Sequence, residues 1–171
     1  DHTKLLINTK NNLGIVANVR GDLERAISYY RDCAKHAEDL EDGVLSAQAY
    51  HNLGMAYADR EDWKSAGECY DRALQLAREH DIASIHATVH LNRAQMYVEL
   101  GDCDMAALAC GRALKIFRKA HDPLGEAETY RVLGRVFARR GDEFTAVQMF
   151  EESISITKEA GVPLEVAESY R

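Results

Sequence analysis

The sequence predicts an all-α protein, a right-handed α–α superhelical solenoid of four forty-residue helix–turn–helix repeats plus the start of a fifth. Three observations predict it. Only two prolines and eleven glycines occur in 171 residues, and 46% of the chain is apolar, so helix is favoured almost everywhere and a core needs no staples. The chain aligns with itself at a period of forty without an insertion, which puts Gly14, Gly54, Ala94 and Gly134 in one column and Ala26, Ala66, Ala106 and Ala146 in another. Around these columns, apolar and small residues recur at three- and four-residue spacing.

Taken in order, blocks 1–40, 41–80, 81–120 and 121–160 each read as two helices, and 161–171 opens a fifth block. The whole, 1–171, reads as a single repeat domain and as a fragment of a longer protein. Gly21-Asp22, Glu61-Asp62, Gly101-Asp102 and Gly141-Asp142 form the turn inside each block. Glycine takes the left-handed conformation that ends one helix, and Asp caps the next. Glu61 departs from this pattern and carries about 1 kcal/mol of strain if left-handed. Asp122-Pro123 starts a helix with a cap and a proline whose missing N–H costs nothing, and Pro163 shares that column. Tyr30, Tyr70, Cys110 and Phe150 make a third column, and Ala17, Tyr57, Tyr97 and Phe137 a fourth. The expected packing sets Gly or Ala of the first helix against Ala of the second, with the aromatics beside that contact. Stacked pairs then leave a concave groove lined by the first helices.

These columns resemble the tetratricopeptide consensus over the whole chain, as in Tyr50-His51-Asn52-Leu53-Gly54, Tyr57, Asp62, Ala66, Tyr70 and Ala73-Leu74. Where the usual unit closes its second helix with proline, this chain has Glu38, Arg78, Arg118 and Lys158, so that helix should run on for about another turn and a half. This long form is similar to the repeats of Pins/LGN scaffolds, of kinesin light chain and of MalT-type bacterial sensors. The resemblance implies an array that holds a peptide, a protein or a regulatory ligand. The carboxylate clamp of co-chaperone arrays is not matched. Its places hold His51, Met55, Asn92, Glu128 and Val132 in one register, and Asn11, Ile15, Asn52, Thr88 and Asn92 in the other.

The first-helix residues not used in packing are the candidate groove lining. Asn12, Asn52 and Asn92 make an asparagine ladder suited to an extended backbone, because an amide both donates and accepts. The alternative is that these amides bond to a neighbouring helix. His51, Met55 and Gln95 belong to the same lining. Arg131, Arg135 and Arg139 lie four apart on one helix face and suit carboxylates, unless Glu128 pairs with Arg131 along the helix. Residues 3–20, 43–60, 83–100, 123–140 and 163–171 carry ten basic and six acidic residues, whereas the rest carries 11 and 22. The groove layer is thus the basic one, and the expected partner is an acidic protein or peptide segment.

The net charge of −7 argues against nucleic acid, and no apolar run reaches the roughly 20 residues of a membrane span. Cys33, Cys69, Cys103 and Cys110 lack metal-ligand spacing and read as small buried or half-buried thiols of a cytoplasmic protein. His86 and His90 are four apart, but no acidic residue lies between them and His90 shares the packing column of Tyr50 and Tyr130. Arg20-Gly21-Asp22 is this block's copy of the turn. No phosphate loop or nucleophile elbow occurs, so neither an enzyme nor a cofactor or metal protein is expected. Two function classes remain, a protein-binding scaffold and a ligand-responsive sensor array within a multidomain bacterial regulator. Leu164, Val166, Ala167 and Tyr170 repeat the pattern of Val44, Ala47 and Tyr50 with no second helix after them, so weak self-association through that open C-terminal end is expected.

Overall fold

The computed structural model describes residues 2–161. Those residues form eight helices and no strand: α1 (His2–Val19), α2 (Leu23–Asp39), α3 (Gly43–Asp59), α4 (Trp63–Glu79), α5 (Ala83–Glu99), α6 (Cys103–Ala120), α7 (Pro123–Arg139) and α8 (Glu143–Glu159). The ninth helix expected around Leu164, Val166, Ala167 and Tyr170 lies outside the described residues, as does Pro163. Glu38, Arg78, Arg118 and Lys158 lie inside the second helices, but these end one or two residues further on, at Asp39, Glu79, Ala120 and Glu159, short of the expected turn and a half, because the left-handed residues Glu41, Asp81, His121 and Gly161 turn the chain there.

One turn recurs every twenty residues. Gly21, Glu61, Gly101 and Gly141 are left-handed, with φ from 61° to 78°, and so are Glu41, Asp81 and His121 at the joints between blocks. The next residue closes each turn by donating its N–H to a carbonyl five residues back, as Asp22 to Ala17, Asp62 to Tyr57 and Asp142 to Phe137. The same aspartate then caps the following helix. Asp22, Asp42, Asp62, Asp102, Asp122 and Asp142 each accept from the N–H three residues on, at 2.9–3.4 Å. Ile82 makes the backbone closure but has no side-chain acceptor for the cap.

The chain divides into two compact units, Asp1–Val89 and His90–Arg171. In the first, α1, α2, α3 and α4 pack in sequence order. Ile7, Cys33, Ala34, Ala37 and Ala49 form a core there, so α2 is held between the helix before it and the helix after it. In the second, α6 packs on α7 and α7 on α8. Ala26, Ala66 and Ala106 are 0% exposed and Ala146 4%, as the column predicts.

The glycine column packs differently from expectation. A β-carbon on Gly14, Gly54 or Gly134 would lie 2.5–2.6 Å from the ring of Tyr30, Tyr70 or Phe150, so the closest neighbour is the aromatic and not the alanine. The physical reason is space: only a glycine leaves room for a ring laid flat against the backbone. The third repeat reverses the sizes. Ala94 supplies the β-carbon, Cys110 replaces the ring, and both are 0% exposed.

Candidate functional site

In the first unit, α1 and α3 carry Asn12, His51, Asn52 and Met55. Asn52 donates from Nδ2 to Oδ1 of Asn11 at 2.7 Å, so this amide bonds across to the neighbouring first helix. Asn12 is exposed and its neighbour Asn11 is the one engaged. Met55 is 37% exposed. His51 is half-buried, and desolvation pushes its imidazole down to about 4, which keeps it neutral. The surroundings are tied down. Asn18 donates to Asp59 at 2.7 Å, Lys10 pairs with Asp32 at 2.7 Å, and Arg31 donates to the Tyr57 hydroxyl at 2.7 Å.

In the second unit the lining is ionic. Asn92 is half-buried on α5. Gln95 donates from Nε2 to Oε1 of Glu128 at 3.0 Å. Glu128 also takes Arg131 in a two-pronged fork, from Nε at 2.8 Å and Nη2 at 2.5 Å, and this bond raises the guanidinium pKa. Glu99 accepts from Arg135 and, at 3.2 Å, from Arg139. Three guanidiniums and two carboxylates thus form one row with a positive excess. The arginine side chains are 35–43% exposed, so water and a ligand both reach them.

The pairing of Arg131 with Glu128 along the helix, weighed from spacing, is present. The groove lining expected from the sequence did not include Asn11 or Glu99. The signal for Glu99 was the period itself: it lies one block before Arg139 and 36 residues before Arg135. That 36-residue offset recurs where Arg60 bonds Glu24 at 2.7 Å and Arg140 bonds Asp104 at 2.5 Å. Both of these arginines also lie over an aromatic ring, Tyr57 and Phe137. They act as ties between repeats.

Burial pushes the thiols of Cys33 and Cys69 up to about 11 and that of Cys110 to about 12. They are poor nucleophiles. His90 is 6% exposed, as its packing column implies. Among the described residues no three His, Cys, Asp or Glu side chains are grouped as a metal would need, and no helix is long and apolar enough to cross a membrane.

Helical pairs at a forty-residue period, with a small residue under an aromatic ring, define the tetratricopeptide class of repeat arrays. Within it, this chain belongs to the MalT-like TPR region family, whose profile matches residues 3–171. Comparison with curated proteins finds no match. Among solved structures, the chain is similar to BtubC (BKLC) from P. vanneervenii, with 24% identity and a TM-score of 0.78 over 93% of this chain and 66% of that one. It is similar to apo RapI, with 19% identity and a TM-score of 0.82 over 94% and 58%. It is also similar to a Podosopora anserina putative kinesin light chain with nearly identical TPR-like repeats, at 13% identity and a TM-score of 0.70 over 91% and 76%. At these identities the likeness is one of fold. The chain spans less than two thirds of the length of the first two structures.

Proposed function

We propose that this array is a protein-binding module that takes an acidic, extended segment of a partner on its first-helix face, with Arg131, Arg135 and Arg139 as the anchors. The observation that carries the reading is the half-exposed arginine row, aligned by Glu99 and Glu128. A guanidinium has five N–H donors, and the bonds to Glu99 engage one Nη each on Arg135 and Arg139. A partner carboxylate adds to those donors or displaces Glu99, and the row's positive excess favours that exchange. Within the second unit, Asn92 and Gln95 supply neutral contacts to the segment beside that row; Asn12, His51, Asn52 and Met55 offer neutral contacts of the same kind within the first unit.

The test is titration of the chain with fluorescent peptides of equal length, one Glu/Asp-rich, one neutral and one Lys-rich. The acidic peptide should bind tightest and weaken as salt rises. Arg131→Ala/Arg135→Ala should weaken it about tenfold or more. Equal binding of all three peptides, or no effect of the double variant, would refute the site.

The family match favours one alternative, a regulatory array that relays a ligand signal to a neighbouring effector domain. A kinase, cyclase or DNA-binding domain encoded beside this array would favour that reading.

A further inference from the structure

The outer face of α6 differs from its counterparts in the other second helices. Met105, Leu108, Arg112, Lys115 and Lys119 follow one another at three- and four-residue steps, so they share one face, and all five are exposed. In α4 the same columns hold Ser65, Glu68, Arg72, Gln75 and Glu79, and α2 and α8 are polar there too. Leu108 is 49% and Met105 38% exposed. Because α5 precedes α6 and α7 follows it, no end of the chain opens this face.

The charge on α6 is also unbalanced. It carries four basic residues and one acidic, whereas α4 carries three of each. Its one carboxylate, Asp104, is taken by Arg140, and Glu126 of the adjoining α7 is taken by Arg118. Among the described residues no carboxylate pairs with Arg112, Lys115 or Lys119. Like charges at these steps repel along a helix. The helix dipole compensates Lys119 in the last turn, but Lys115 and Arg112 lie about one and two turns further in, beyond its reach. Gly111 borders the stripe, three residues from Leu108 and four from Lys115. A β-carbon there would meet nothing within 4 Å, so no close packing among the described residues requires a glycine that weakens the helix.

We propose that the outer face of α6 docks an acidic amphipathic helix of a partner protein. The partner's apolar residues seat on Met105 and Leu108, its carboxylates meet Arg112, Lys115 and Lys119, and its backbone passes close to Gly111. From Met105 to Lys119 the stripe is about 21 Å long, so roughly four turns of a partner helix cover it. Charge complementarity selects a carboxylate-bearing segment, and the exposed apolar pair gives it a register. An anionic membrane or a nucleic acid fits less well. The apolar and basic residues follow one another along the axis rather than across it, and the net charge of −7 opposes both. This face is separate from the arginine row, which α7 carries.

Fluorescence anisotropy on the 171-residue chain tests this with three labelled peptides of about 16 residues on an alanine background. One has two leucines and then three glutamates at three- and four-residue steps, one has lysines in place of the glutamates, and one has the first composition scrambled. The first should bind at least about tenfold tighter than the others, and more weakly as salt rises. Leu108→Glu and Lys115→Glu should each weaken it about tenfold with far-UV circular dichroism unchanged. Arg112→Ala/Lys115→Ala stands in if either variant loses helix. Gly111→Ala should raise the melting temperature and yet weaken the peptide. Arg131→Ala/Arg135→Ala should leave its affinity unchanged. Equal binding of the three peptides, or binding that survives the α6 variants, would overturn the proposal. So would loss of binding in Arg131→Ala/Arg135→Ala, which places the peptide on the arginine row. Wild-type binding to phosphatidylserine vesicles that the α6 variants abolish would also overturn it, by assigning the face to a membrane.

Discussion

Gly54→Ala tests the packing rule of the repeat at atomic detail. The added β-carbon would stand 2.6 Å from both Cδ1 and Cε1 of Tyr70 and 3.3 Å from Cβ of Cys69. Tyr70 is 1% exposed, so its ring has no room to withdraw. Overpacking costs about 1–3 kcal/mol, and two ring carbons a full ångström inside contact distance belong at the upper end. Alanine returns about 1 kcal/mol of helix propensity, leaving a net loss of about 2 kcal/mol. Tyr70→Cys alone empties a buried aromatic site, at about 3–5 kcal/mol. Ala94 and Cys110 show that an alanine and a cysteine pack together in these columns, both at 0% exposure. With the ring gone, the alanine should be neutral or stabilising by about 1 kcal/mol, so Gly54→Ala/Tyr70→Cys should be no less stable than Tyr70→Cys. The coupling in the double-mutant cycle is then about 2–3 kcal/mol. Urea denaturation followed by far-UV circular dichroism measures all four corners. Additivity within about 0.5 kcal/mol would refute the ring-on-backbone contact.

Three further outcomes are expected. His51 is neutral in the fold with a pKa of about 4, while the unfolded chain takes up its proton near 6.5. The stability this lends is present above pH 6.5 and lost as pH falls towards 4, by up to about 3 kcal/mol, and His51→Gln should flatten the urea midpoint between pH 7 and 4.5. Burial raises the thiol pKa of Cys33, Cys69 and Cys110 while Cys103 is partly exposed, so a thiol reagent at pH 8 should label Cys103 fast and the other three only on unfolding; fast labelling of all four in the native state would contradict the packing. Glu61 is left-handed at φ 61°, so Glu61→Gly should raise stability by about 0.5–1 kcal/mol in thermal melts, whereas the same change at the helical Glu68 should lower it.

Legibility followed the physics of each signal. Helix content, the forty-residue period, the aspartate caps and the left-handed turn at Gly21, Glu61, Gly101 and Gly141 depend on local backbone chemistry, and local chemistry is written in consecutive residues. The period also multiplied each weak cue by four. Glu41, Asp81 and His121 escaped notice because none is glycine, the residue that marks a left-handed turn most plainly; each takes positive φ where the next residue closes on a carbonyl five back. The candidate site was legible only as a list of first-helix positions. Which amide meets which is a matter of side-chain reach between helices, so composition could not choose Asn11 over Asn12 as the partner of Asn52.

The sequence by itself determined that this protein is a helical repeat array with small and aromatic residues in fixed columns, because periodicity and caps act through neighbours along the chain. Only the tertiary structure decided that the glycines lie beneath aromatic rings and that Glu99 and Glu128 align the arginine row. Those outcomes depend on distances between residues tens of positions apart, which are set by how whole helices pack.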